Sequence, residues 1–162
     1  MSYVIKGRVW VLGENISTDY MAPSAYQWGT WEDMKPHVLE PICPEFPKEV
    51  REGDIIIAGR NFACGSSREK APRNLHNSGI RAIVAGSFGR IFFRSSIAIG
   101  LPVLNCSEAV SIFKKGDLAI IDVEAGTVTN ETTGKIVKGE PLSSMLVDML
   151  KEGGLLPLLK RS

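Results

Sequence analysis

From Gly59 to Lys70 the sequence reads GRNFACGSSREK, with a glycine, two hydroxyls and a guanidinium in consecutive positions: Gly65, Ser66, Ser67 and Arg68. Ser66 and Glu69 stand three apart, in the S-x-x-E pattern of a capping box at a helix start. A helix N-terminus offers unpaired N–H groups and a partial positive charge, which suit a carboxylate or phosphate. Gly65 lets the backbone approach a ligand closely, and Arg68 adds a planar fork of donors matched to a carboxylate. The chemistry this permits is capture of a small anion beside an alcohol side chain that exchanges a proton with it. A plainer reading fits the same residues: Gly65 makes a tight turn, Ser66 caps the helix and Arg68 is solvated.

Other reactive arrangements find less support. Neither the P-loop pattern G-x-x-x-x-G-K-[ST] nor the dinucleotide pattern G-x-G-x-x-G occurs. The loop is not G-x-S-x-G, and His37 and His76 are the only histidines, so a stand-alone serine hydrolase is poorly supported. His76 reads as a surface or helix-end residue. Cys43, Cys64 and Cys106 are far apart with no C-x-x-C pair, which argues against a zinc or iron–sulfur site built by this chain alone. Cys64 reads as a small buried hydrophobe, and no residue is assigned as a metal ligand.

The 162 residues carry 19 basic and 18 acidic side chains, a net charge of +1. That balance argues against a general nucleic-acid or membrane binder, and so against a non-catalytic RNA-binding module. The distribution is uneven: residues 60–94 hold seven basic side chains and one acidic, whereas residues 1–59 hold five and nine. The basic middle thus coincides with the Gly- and Ser-rich loop. No apolar run approaches the roughly 20 residues needed to span a bilayer, and MSYVIKGRVW lacks the apolar core of a signal peptide. Three cysteines cannot all pair with one another, so a reducing, cytoplasmic setting is expected.

The elements that must hold the loop alternate between strand and helix. Residues 4–11 are β-rich, 13–31 form a polar, turn-rich loop, and 31–40 suit a helix that Pro36 interrupts. The apolar run Ile55–Ala58, bounded by turn signals, fits a strand buried on both faces. Residues 67–79 read as a helix closed by Gly79, with Pro72 kinking it or delaying its regular part. Residues 80–85 form a second buried strand, 87–100 a second helix ending at Gly100, and 101–104 a third strand. Residues 107–114 make one or two helical turns, and 118–123, 127–129 and 135–137 a β-meander with Gly-containing turns. Residues 142–151 and 155–159 are apolar at helical spacing. No repeat or linker divides the chain, so residues 1–162 are expected as one α/β domain.

The stretch 61–104, NFACGSSREKAPRNLHNSGIRAIVAGSFGRIFFRSSIAIGLPVL, closely resembles the swivel domain of the aconitase superfamily. As a chain of this length it is similar to the small subunits of 3-isopropylmalate dehydratase and their homoaconitase-type relatives. ISTDYMAPSAY, beginning at Ile16, resembles the family's D-x-x-(S/T)-T-D loop, and EGG at 152–154 precedes an apolar tail as in the family. The likeness runs from about Gly7 to Leu159. It implies a three-layer β/β/α swivelling domain with no cofactor of its own, and a large partner subunit carrying a [4Fe–4S] cluster on three cysteines. The implied reaction is reversible dehydration that moves a hydroxyl between adjacent carbons of a hydroxy dicarboxylate, with iron as Lewis acid.

Carried over by position, the resemblance makes Ser66 the base that removes the carbon-bound proton. Ser67, Arg68 and the Gly65 backbone hold a substrate carboxylate, and Thr18 and Asp19 match the T-D pair whose acid orients active-site groups. Homoaconitase-type members carry Y-L-R-T in the next loop, where the arginine meets a distal carboxylate; isopropylmalate-type members have an apolar residue there. Here the loop reads Tyr26-Gln27-Trp28-Gly29, so Trp28 supplies an apolar wall and no cation, which favours an alkyl-substituted malate. Gln27 and Trp28 copy neither pattern, which leaves isopropylmalate, dimethylmalate, methylmalate (citraconate) and homoaconitate all open. Further departures are Ala63 for the usual Gly, Glu14 for Asp, and Ser95 and Ala98 where relatives often have Asn.

Overall fold

A computed structural model describes residues 3–65 and 69–161. The first part of the chain supplies β1 (Val4–Leu12), α1 (Thr18–Met21), α2 (Trp31–Met34), α3 (Phe46–Glu49) and β2 (Ile55–Ala58). Then follow α4 (Lys70–Ser78), β3 (Ala82–Ala85), α5 (Arg90–Ala98), β4 (Val103–Asn105) and α6 (Ala109–Ile112). The meander β5 (Leu118–Asp122), β6 (Thr127–Asn130) and β7 (Ile136–Lys138) precedes the terminal helices α7 (Ser144–Lys151) and α8 (Leu155–Arg161).

The strands join in the order β4-β3-β2-β1-β5-β6-β7, and β1 serves both halves. Its residues Val4 to Arg8 pair antiparallel with β5, while Val9 to Leu12 pair parallel with β2. β2, β3 and β4 continue the parallel half, and β5, β6 and β7 the antiparallel half. Every residue of β2 (IIIA) and β3 (AIVA) is buried, as expected of parallel strands covered on both faces. In β6 burial alternates residue by residue, as in a sheet with one wet face. α4 packs on α5, α5 on α7 and α8, and α6 on β2 and β3, which makes the observed α/β architecture the layered one expected.

Where β1 changes partners, one buried carboxylate ties the halves. Asp54 Oδ2 accepts from Trp10 Nε1 at 2.8 Å, from an Arg8 guanidinium nitrogen at 2.9 Å and from the Arg51 N–H at 2.9 Å. Trp10 meets the Phe46 ring edge-on at 5.1 Å. Buried apolar residues from both halves form one contiguous cluster. No helix among the described residues is long and apolar enough to cross a membrane.

Several elements differ from the sequence expectations. The 13–31 loop contains the single turn α1, capped by Ser17 Oγ, which accepts from Asp19 N at 3.0 Å. Residues 41–50, PICPEFPKEV, contain α3, with a proline in its first turn, where a missing N–H removes no hydrogen bond. Pro36 divides residues 31–40 into α2 and a 3₁₀ turn, Lys35–His37. The described helix α4 opens at Lys70, so Glu69 stands at its N-cap position and makes no side-chain cap. Both bonds of the expected capping box involve Ser66, which lies outside the described residues. Pro72 falls in the first turn and delays the helix rather than kinking it. Gly79 closes α4 in the left-handed region, at φ 117°, as expected.

Candidate functional site

The three segments leaving the carboxyl ends of β1, β2 and β3 carry the sheet's pairing beyond the strands. Gly59 N donates to Gly13 O at 3.1 Å, Asn15 N to Arg60 O at 2.9 Å, and Ala63 N to Ile16 O at 2.7 Å. On the other side Gly86 N donates to Gly59 O, Phe62 N to Ser87 O and Gly89 N to Phe62 O. Thr18 N then reaches Cys64 O at 3.0 Å, so the start of α1 is fastened to the loop after β2. In open sheets with parallel strands this end is where ligands bind.

Close contact forces unusual backbone. Asn15, Asn61 and Ala63 all have φ between 56° and 63°, the region that suits glycine. Ala63 thus stands in a conformation that glycine adopts more readily. A Cβ on Gly89 would stand 2.4 Å from Ala63 O, so only glycine lets the start of α5 sit against this loop. Gly65 has φ 99° and lies beside the hydroxyls of Ser17 and Thr18; a Cβ there would be 3.4 Å and 3.7 Å from them.

Between these segments and α5 lies a cleft of about 370 Å³, lined by Thr18, Asn61, Gly65, Arg90 and Ser95 among others. Asn61 Nδ2 donates to Asn15 Oδ1 at 2.9 Å, which bridges two of the loops. Arg90, the first residue of α5, is exposed and lines the cleft. Its charge and the hydroxyls of Thr18 and Ser95 make the cleft suited to an anionic, hydroxylated ligand.

Of the residues singled out in the sequence, Thr18 and Gly65 meet in this cleft. Asp19 follows Thr18 in the first turn of α1 and is exposed. Trp28 stands on the separate 24–30 loop and is 91% exposed. Ser66, Ser67 and Arg68 lie outside the described residues. The contribution of α5 was not anticipated, apart from Ser95 as a departure from the family pattern. Its one signal is a helix start at Gly89-Arg90 with no capping side chain.

The chain's own residues do not suit an iron–sulfur cluster. All three cysteines are free and separate, and among the described residues no three of His, Cys, Asp and Glu gather as a metal site. Burial and the Glu45 carboxylate push the Cys43 thiol up to about 12, and burial raises Cys106. Burial and the nearby Arg81 lower the His76 pKa and favour neutral imidazole.

Comparison with known proteins agrees with this arrangement. Residues 29–109 match the family model described as the aconitase C-terminal domain. An isopropylmalate/citramalate isomerase small subunit from Methanocaldococcus jannaschii is 43% identical, over 99% of this chain and 96% of the relative. A methanogen homoaconitase small subunit from Methanothermobacter thermautotrophicus is also 43% identical, over 96% of this chain and 90% of the relative. A crystal structure of 3-isopropylmalate dehydratase from M. jannaschii superposes with a TM-score of 0.87 at 37% identity, covering 98% of this chain and 95% of that one. With the layered fold and near full-length identity, the chain belongs to the aconitase C-terminal-domain family and, within it, to the small subunits of the isopropylmalate dehydratase group of hydro-lyases.

Proposed function

We propose that this chain is the small subunit of an iron–sulfur hydro-lyase that interconverts 2-isopropylmalate and 3-isopropylmalate, the isomerisation used in leucine biosynthesis. The observation that carries the proposal is the meeting of Thr18 and Gly65 at one cleft, at the carboxyl ends of the parallel strands. The segment that follows Gly65 in sequence, Ser66-Ser67-Arg68, leads into α4. Ser66 acts as the base for the carbon-bound proton, while Ser67, Arg68 and the Gly65 backbone hold a carboxylate. A serine hydroxyl is a weak base and needs an electropositive setting; Arg68 and the α4 N-terminus supply that sign. Thr18 and Asp19 orient the group that receives the proton. In this reading the [4Fe–4S] cluster belongs to a large partner subunit and activity requires both chains; among the described residues no three of His, Cys, Asp and Glu gather as a metal site. The free thiols support a cytoplasmic location.

Trp28 selects the substrate's substituent. It presents an aromatic surface and no charge, which suits an alkyl group and leaves a third carboxylate without a partner. Overall identity does not decide the matter, because the isopropylmalate/citramalate and homoaconitase relatives are equally similar. The test is a reconstituted complex offered 3-isopropylmalate, citramalate, 2,3-dimethylmalate and homoaconitate in parallel. The proposal expects the highest kcat/KM for isopropylmalate, and a preference for homoaconitate contradicts it.

A further inference from the structure

Helix α4 reaches back to the long loop after β1 with two side chains. Lys70, its first residue, donates from Nζ to the Gln27 carbonyl, immediately before Trp28. Asn74, one turn later and 5% exposed, donates from Nδ2 to the Met21 carbonyl at 3.0 Å, at the end of α1. Positions four apart lie on one face of a helix, so the two tethers act side by side. Between them the loop is held by short-range bonds: Tyr26 N to Pro23 O, Gln27 N to Ser24 O and Gly29 N to Tyr26 O. A stack of Tyr26 on His37, centroids 3.9 Å apart, adds a local contact. Trp28 itself is 91% exposed, so packing of its own ring does not fix where the loop stands.

We propose that Lys70 and Asn74 are positioning residues that set the Trp28 loop relative to α4, and thereby set discrimination among malates with different substituents. The proposal rests on the substrate-selecting role given to Trp28 above. Lys70 is an exposed tether whose loss leaves the core untouched; Asn74 is a buried one whose loss strands the Met21 carbonyl.

Two measurements on Lys70→Met test it. In hydrogen exchange of the full chain, the amides of residues 26–29 exchange about threefold to tenfold faster, the range of one lost hydrogen bond, while those of α5 are unchanged. In the reconstituted complex, the ratio of KM values for 3-isopropylmalate and citramalate shifts by a similar factor, with the loss falling on KM rather than kcat. Lys70→Arg restores both readouts. Asn74→Leu raises exchange in α1, with its melting temperature recorded alongside. Unchanged exchange in Lys70→Met overturns the tether. Faster exchange with an unchanged KM ratio overturns its role in selection. A wild-type complex inert toward both acids, with the exchange effect intact, overturns the substrate assignment and upholds the tether.

Discussion

The two halves of the sheet share β1 and the same core, yet the candidate cleft lies at the end of one of them. In the parallel half each strand must be followed by a crossover, so chain leaves β1, β2 and β3 at the same end and three loops converge. In the antiparallel half β5, β6 and β7 return through short turns, and no residue of these strands lines the cleft. Polar groups differ accordingly. In the antiparallel half, buried Asn130 is fully engaged: Nδ2 donates to Ile112 O at 2.7 Å and to Asp117 Oδ2 at 2.9 Å, and Oδ1 accepts from Thr133 N. In the parallel half, polar side chains at the strand ends face the cleft. Parallel pairing thus creates the place for chemistry, and the meander completes the core.

Substitutions can separate the two roles. Gly89→Ala should have the larger effect on activity, because the new Cβ would meet Ala63 O at 2.4 Å and push α5 away from the loop after β2. Displacement of that order lowers kcat/KM of the reconstituted complex by about 10²-fold, and the variant also loses about 1–3 kcal/mol in urea unfolding. Asn130→Ala should cost about 1–3 kcal/mol by the same assay, since it leaves the Ile112 carbonyl and the Thr133 N–H without their partner. Turnover per assembled complex should then match wild type. If Asn130→Ala impaired turnover in a folded complex, the division between the halves would fail.

The sequence showed most of this where structure is local. Ile55–Ala58 and Ala82–Ala85 stand out because strands buried on both faces need unbroken apolar runs. Gly79 marked the end of α4 because few other residues adopt φ 117°. The single turns α1 and α3 were hidden, since four residues are too few to show helical periodicity. Tertiary contacts stabilise them instead: Met21 in α1 and Phe46 in α3 are fully buried. The loop after β2 was legible from its glycine, hydroxyls and charge. The part played by Asn61 and Arg90 was not, because it depends on segments far apart in sequence meeting at one cleft.

The most direct test of the central claim is turnover of the complex reconstituted with Ser66→Ala. The account predicts normal assembly with the large subunit and a fall in kcat of roughly 10²–10⁴-fold, the usual range for a lost acid–base group. An assembled Ser66→Ala complex with near wild-type kcat would contradict it.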